Sequence, residues 1–255
     1  MVNLVKNKKQ IKQKQTLVLA QKESISLADL ATTALRNKIL DLSLTPSEHL
    51  EERMLLEKFP FGRTPIREAL NRLMAEGLVE TKNGRGAYVA SMSIWHTHQL
   101  LEAYVIIEKV VASLINFTDK NLVLDLKEIQ KNYEIVGESA NILAITESNS
   151  NFHSRLAEST GNRFIVAQAA DLHNLARRLS FFIYRSEQEV SKFSAQLERI
   201  NRQHHEIIAF IEQKNRSELV SLLTEHAVLF RLRLSAVISG GNVADLDFSS
   251  IQPLS

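Results

Sequence analysis

The chain is predicted to be mainly α-helical in two parts: a small three-helix domain closed by one β-hairpin, followed by an all-α antiparallel helical bundle. Three observations carry this reading. Only 8 Gly and 4 Pro leave little material for a turn-rich β design. Apolar residues recur at helical spacing along most of the chain. At 255 residues the chain exceeds what one core comfortably organises, so two domains are expected. With no Cys, a disulfide framework and a thiolate metal site are both excluded. Neither a charged-then-apolar leader nor an apolar run near the roughly 18 residues of a membrane span is seen, so a cytoplasmic chain without a membrane partner is expected.

Residues 1–26 hold six Lys against one Glu without a sustained apolar period, and read as a basic flexible arm suited to phosphate contacts. From Leu27, the positions Leu30, Ala31, Ala34, Leu35 and Ile39 keep helical spacing to about Leu42. After a polar turn with Pro46, Leu50 to Phe59 forms a short second helix, interrupted by Pro60 and Gly62. Thr64-Pro65 then suggests a capping hydroxyl followed by proline at the first helical position. In this third helix Ile66, Ala69, Leu70, Leu73 and Met74 form the inner stripe. Thr64, Arg67 and Asn71 share the outer face, with Arg63 just before it. Gly77 stops the helix, and Leu78 to Lys82 and Ala87 to Ala90 flank Asn83-Gly84, a tight-hairpin dipeptide. Residues 27–91 are thereby predicted to be a winged helix-turn-helix.

Charge agrees with a nucleic-acid module joined to a different one. Up to Ser91 there are 15 Lys+Arg against 10 Asp+Glu (+5), and beyond it 16 against 19 (−3). Arginines on the first turns of a helix fit the major groove and bridge guanine O6 and N7, which makes Arg63 and Arg67 the leading candidates. Arg85, between two glycines at the hairpin tip, is placed to reach a neighbouring groove or phosphate strand. From spacing alone, solvated surface arginines are an equal alternative.

The run RTPIREALNRLMAEGLVETKNGRGAYVA (Arg63 to Ala90), with Glu52-Arg53 upstream, closely resembles the DNA-binding domain of the GntR family of bacterial regulators. The resemblance implies double-stranded DNA as partner and Arg53 as a further contact, beside Arg63, Thr64, Arg67, Asn71 and Arg85. Gly62 departs from it, since a Ser or Thr is usual there.

Behind Ser91, amphipathic segments run over about 94–118, 119–137, 139–160, 163–185, 187–213 and 216–238, with no strand pattern. Breaks are expected at Thr118-Asp119, Gly137, Gly161-Asn162, Ser186 and Asn215. This gives a helical domain over 92–239 and a loose tail over 240–255. His204 shares a stripe with Leu197, Ile200, Ile207 and Ile211, and His226 with Leu222, Leu223, Leu229 and Phe230. His153 sits with Ile145, Phe152 and Leu156, with Asn149 one turn before it, while His205 turns away from the His204 stripe by about 100°. Three inward imidazoles and an amide oxygen suit a divalent transition metal of the Zn, Ni or Mn class; buried structural histidines are the alternative. His49, His96, His98 and His173 are assigned to the surface or to local hydrogen bonds.

Residues 95–238, with NSNFHSRLAESTGN (Asn149 to Asn162), QHHEIIAFIEQKN (Gln203 to Asn215) and EHA at Glu225, resemble the FCD ligand-binding domain of the FadR subfamily. That resemblance implies metal ligands Asn149, His153, His204 and His226, with Asn149 standing where Asp is frequent. Val105 stands where an Arg often precedes the Glu corresponding to Glu108, so Arg177 and Arg178 are candidate substitutes for binding an effector, surface arginines being the plainer account. The expected function is a homodimeric repressor controlled by a small organic acid in a metal-containing domain, its third helices entering successive major grooves of a near-palindromic operator. The rival is a metal-dependent hydrolase. Against it, Glu147, Glu158, Glu206 and Glu225 lie off the histidine faces, no carboxylate is expected beside the site, and no catalytic residue is assigned.

Overall fold

A computed structural model of the chain describes residues 26–82, 84–189 and 192–239, without the side chains of Arg85 and Glu189. The expected arm, apart from Ser26, the expected tail, Asn83 and the Arg85 side chain lie outside the described residues. The chain divides between Ser91 and Met92 into two compact units.

In the front unit, α1 (Leu27–Leu40) starts from a reciprocal cap: Ser26 Oγ accepts the Asp29 N–H, and the Asp29 carboxylate accepts the Ser26 N–H, each at 3.0 Å. It buries Ala31, Leu35 and Ile39 and packs on α3 (Arg63–Ala75), which also carries α2 (Glu52–Lys58). The start of α3 corrects the sequence reading. Gly62 is the N-cap with no side-chain cap, and Thr64 lies inside the helix. Pro65 is accommodated because the first N–H groups of a helix have no helical acceptor anyway. At the other end Gly77, at φ 70°, closes the helix: its N–H donates to Met74 (3.1 Å) and that of Leu78 to Leu73 (2.9 Å). Arg36 grips Glu76 through two hydrogen bonds of 2.9 and 2.6 Å, tying α1 to the end of α3, and Arg72 of α3 pairs with Asp29.

Strands β1 (Val79–Lys82) and β2 (Arg85–Val89) form the hairpin, Val79 opposite Val89, with an irregularity at Thr81/Lys82. A feature absent from the sequence reading is a further backbone segment along β2. The Leu50 N–H donates to Ala87 (2.8 Å) and the Val89 N–H to Glu48 (2.9 Å). His49 stacks on Tyr88 with ring centres 4.6 Å apart and lies over Gly86.

The rear unit consists of α4 (Ile94–Leu114), α5 (Leu122–Glu138), α6 (Ile142–Ser159), α7 (Arg163–Glu189), α8 (Phe193–Glu212) and α9 (Arg216–Ser239). The first helix stops four residues short of the expected end, where Asn116 Oδ1 accepts the Thr118 N–H in a turn. The break expected at Ser186 is not there. Ser186 and Glu187 are buried inside α7, and Glu187 holds Arg233 of α9 by hydrogen bonds of 2.8 and 2.6 Å, so tertiary pairing overrides the local turn signal. Helix α4 packs on α7 and α9, α5 on α6 and α8, α6 on α7, and α8 on α9. One apolar cluster gathers Val111, Leu126, Phe152, Leu156, Ile207 and Leu223; another gathers Tyr133, Ile145, Tyr184, Phe193 and Ile200.

Gly86→Ala tests the wing. Gly86 has φ 71°, and a Cβ there would come within 2.6 Å of His49 Nε2. The left-handed backbone alone costs a non-glycine residue about 1–2 kcal/mol. The variant is expected to melt earlier in a thermal scan, and adding His49→Ala should restore only the steric part of the loss.

Candidate functional site

The outer face of α3 presents Arg63, Thr64, Arg67 and Asn71, all exposed. Glu52, at the start of α2, reaches two of them: its carboxylate lies 2.8 Å from Arg67 Nε and 3.5 Å from Arg63 Nε. The sequence reading used Glu52 only as part of a family signature, because the meeting of these residues depends on how α2 packs on α3. Arg53 is exposed and lies 3.2 Å from Glu57 on its own helix. Of Arg85 the described part is the backbone, which begins β2.

In the rear unit, His153 of α6, His204 of α8 and His226 of α9 converge as expected, with ring centres 5.1–5.8 Å apart and one ring nitrogen each within 4.8 Å of the others. The Nδ1 of every ring is engaged from behind: His153 by Glu108 (2.8 Å), His204 by Gln130 Oε1 (2.7 Å), His226 by Gln203 Oε1 (3.0 Å). Gln130 is itself oriented, since its amide N–H donates to Glu134 (3.1 Å) and Asn201 (2.9 Å), which leaves its oxygen for His204. Glutamine and carboxylate oxygens accept, so each of these Nδ1 atoms is the donor, and in the neutral His204 and His226 rings Nε2 keeps its lone pair. The Nε2 atoms of His153 and His204 are buried without a hydrogen-bond partner among the described residues. Imidazoles fixed through one nitrogen with the other converging on a common point fit a metal ion, whose histidine ligands carry such outer partners. Asn149, half-buried, lines the cavity beside His153 and His226.

Electrostatics point the same way. Burial, then the neighbouring His226 and His153, holds the His204 imidazole well below its ordinary value, and burial followed by His153 brings His226 down to about 3. Both are neutral near pH 7, the form in which a ring nitrogen ligates. His204 is also clamped sterically, stacked on Phe152 at 4.1 Å and tilted over Tyr133 at 5.4 Å, between the two apolar clusters.

Two expectations need correction. His173, assigned to the surface or to local hydrogen bonds, is buried on α7 with Nε2 2.6 Å from Glu108 Oε1, 65 residues away. A carboxylate does stand beside the histidines: Glu108 of α4 is buried and bonded by both His153 and His173. Burial works to raise the Glu108 carboxyl, but its interactions with His153 and His173, hydrogen bonds included, outweigh it and hold the group well below the usual carboxylate range. The available signal was helical phase, since Glu108 lies one residue from Ile107 and four from Tyr104, both buried. Of the arginine pair, Arg177 lines the cavity with His153 and His173, whereas Arg178 is buried and lines neither cavity beside the histidines.

The sequence matches the gntR family of bacterial regulatory proteins over residues 27–89 and the FCD domain over residues 99–228, the latter spanning just over half of the chain. The chain belongs to the gntR family of bacterial regulatory proteins, with an FCD domain. It is a transcriptional regulator with a DNA-binding front unit and an effector-binding helical unit, and the hydrolase reading has no support. Among its relatives are the repressor GlaR of Escherichia coli, 26% identical over 75% of this chain and 88% of its own, and the regulator LutR of Bacillus subtilis, 27% identical over 72% and 90%. The fold is shared with the solved structure of McbR/YncC of Escherichia coli, with TM-score 0.67 at 17% identity, covering 85% of this chain and 99% of the other. Among the described residues of this regulator, no helix is long and apolar enough to cross a membrane.

Glu108→Ala removes the acceptor of two buried N–H groups in the gntR-family regulator, each of which costs about 1–3 kcal/mol when left unmade. A loss of about 3 kcal/mol in urea denaturation is expected. Glu108→Gln, which retains one acceptor oxygen, should lose about half as much. A loss below about 1 kcal/mol for the alanine variant would show that the carboxylate does not organise the site.

Proposed function

We propose that the chain is a cytoplasmic, homodimeric repressor of the FadR subfamily whose helical unit holds a divalent transition metal and answers to a small organic acid. His153, His204 and His226 hold the ion, with the Asn149 amide oxygen as fourth protein ligand. The observation that carries this reading is the convergence of three imidazoles from three helices, each fixed from behind through Nδ1, with the Nε2 atoms of His153 and His204 buried and without a hydrogen-bond partner among the described residues. Such an ion supplies positive charge that attracts carboxylate oxygens. Asn149 brings no charge to the shell, so the negative charge of the protein comes from Glu108, one hydrogen bond behind His153. Arg177, on the cavity wall, is the residue for the effector carboxylate; Arg178 has no such position.

In the front unit, Arg63, Thr64, Arg67 and Asn71 read or flank base edges, and Arg53 and Arg85 add contacts. Dimerisation is supported by exposed apolar side chains on two helices that pack together: Ile106 (64% exposed) and Leu114 (45%) on α4, and Phe164 (68%) on α7. A second copy covering them gives a two-fold assembly and a near-palindromic operator. Repression is supported by the relative GlaR of Escherichia coli, a transcriptional repressor.

Two measurements test the reading. In a gel-shift titration with its own promoter DNA, Arg67→Ala is expected to weaken binding by about fivefold or more, since a bidentate Arg–guanine contact carries about 1–3 kcal/mol; unchanged affinity would remove α3 from the groove. Elemental analysis of protein purified without a metal-affinity tag should find about one ion per chain, lost in the His153→Ala, His204→Ala double variant. Equal metal content in the two preparations would reject the site.

A further inference from the structure

A DNA-facing surface does not by itself account for Glu52. This residue is half-buried at the start of α2, and its carboxylate reaches two exposed arginines one helical turn apart on α3, 2.8 Å from Arg67 Nε and 3.5 Å from Arg63 Nε. An anion on a surface that meets a polyanion lowers affinity for every DNA sequence alike, because the phosphate backbone supplies the sequence-independent attraction. As a source of fold stability the contact is poor as well, since ion pairs of exposed side chains contribute little in water. What the carboxylate does to the two guanidinium groups is left to explain its place.

Other ion pairs of the front unit show the difference. Glu76 takes Arg36 through Nε and the terminal Nη2 together, and Asp29 takes Arg72 through a terminal Nη1, so those guanidinium groups are occupied in holding α1 to α3. Glu52 takes Arg67 through Nε alone. Among the described residues no hydrogen bond engages the Nη atoms of Arg67, and none engages the guanidinium of Arg63. The two terminal nitrogens of each group stay available, and paired N–H groups of this kind are what guanine O6 and N7 accept. The carboxylate also lowers the repulsion between two like charges set four residues apart on one helix face.

We propose that Glu52 is a positioning residue for base recognition: it holds Arg67, and less closely Arg63, through Nε so that the terminal nitrogens are presented to a guanine edge. This rests on the reading of α3 as the DNA-reading helix and adds to it the residue that sets the aim of its arginines. A long side chain already held in its bound rotamer gives up little freedom when the correct base arrives, whereas an unheld one settles on phosphates of any sequence. Glu52 therefore acts in opposite directions on the two kinds of binding, lowering affinity for DNA in general and raising selectivity for the cognate site.

The test is a fluorescence-anisotropy titration of the full chain with two labelled duplexes of equal length and composition, one from its own promoter DNA and one shuffled. The readout is the ratio of the two dissociation constants. Glu52→Ala is expected to bind the shuffled duplex at least as tightly as the natural chain does, while the ratio falls about fivefold. Glu52→Gln, which loses the charge but keeps an acceptor for Arg67 Nε, should lower the ratio by only about twofold. In an Arg67→Ala background, adding Glu52→Ala should lower it by less than about twofold, because the residue acts through that arginine. An unchanged ratio in Glu52→Ala, parallel weakening on both duplexes, or an undiminished effect without Arg67 overturns the proposal. So does a natural chain that binds the two duplexes alike, or a ratio that does not fall in Arg67→Ala, and either of these also removes α3 from the groove. A ratio that falls in Arg67→Ala but not in Glu52→Ala strikes at Glu52 alone.

Discussion

The Glu108 carboxylate is the constraint around which the rear unit is arranged. A carboxylate excluded from water must be satisfied by donors or it neutralises. Here one comes from α6 and one from α7, through His153 and His173. Those two bonds join three helices at a single buried point, and they fix which nitrogen of His153 faces the carboxylate. Removing the carboxylate would therefore do more than delete one ion pair: it would release the orientation of the ring on which the three-histidine geometry depends. The glutamines behind His204 and His226 repeat the device with neutral groups. The anion is thus supplied once, behind the histidine that faces both the ring triad and the cavity.

The surrounding apolar packing makes the polar centre possible. His204 is held between Phe152 and Tyr133, which belong to the two apolar clusters, so the polar site is bounded on both sides by tightly packed side chains. On another wall the buried Arg233–Glu187 pair and the Tyr133–Tyr184 hydroxyl contact of 2.7 Å close the space with groups satisfied among themselves. What remains open is a cavity whose unmet hydrogen-bonding capacity is concentrated on imidazole nitrogens.

Much of this was legible in the sequence because it depends on helical phase. Ala31, Leu35 and Ile39 of α1, Ile66, Ala69, Leu70 and Leu73 of α3, and His153, His204 and His226 follow from residue spacing and reappear as buried positions, while Leu27, Leu30, Ala34 and Met74 of the same stripes are half-buried. What was not legible depends on contacts between elements. His173 showed no partner in sequence because its partner is 65 residues away on α4. Ser186 looked like a break because its local signal is that of a turn, whereas the adjoining Glu187 is held by Arg233. The Thr64 cap was misplaced because proline is tolerated anywhere in the first turn, so Pro65 alone does not fix the first helical residue. The segment beside β2 is too short for an alternation pattern and exists only through its pairing.

The position of Glu108 on α4 also bears on how a bound effector is felt elsewhere. An effector shifts an equilibrium only through a difference in its affinity for two arrangements. It can exploit such a difference only where it touches elements able to move relative to one another. The cavity draws Tyr104 from α4, Asn149 from α6, and Arg177 and Ser180 from α7, so a ligand there bears on the packing of three helices at once. Of these, α4 begins at Ile94, five residues after the last residue of β2, with Ser93 capping it through the His96 N–H. Glu108 lies fourteen residues along that continuous helix, a distance of about 21 Å at 1.5 Å per residue. The same residue that fixes the buried imidazoles thus stands on the one helix of the rear unit that the backbone joins directly to the DNA-reading unit.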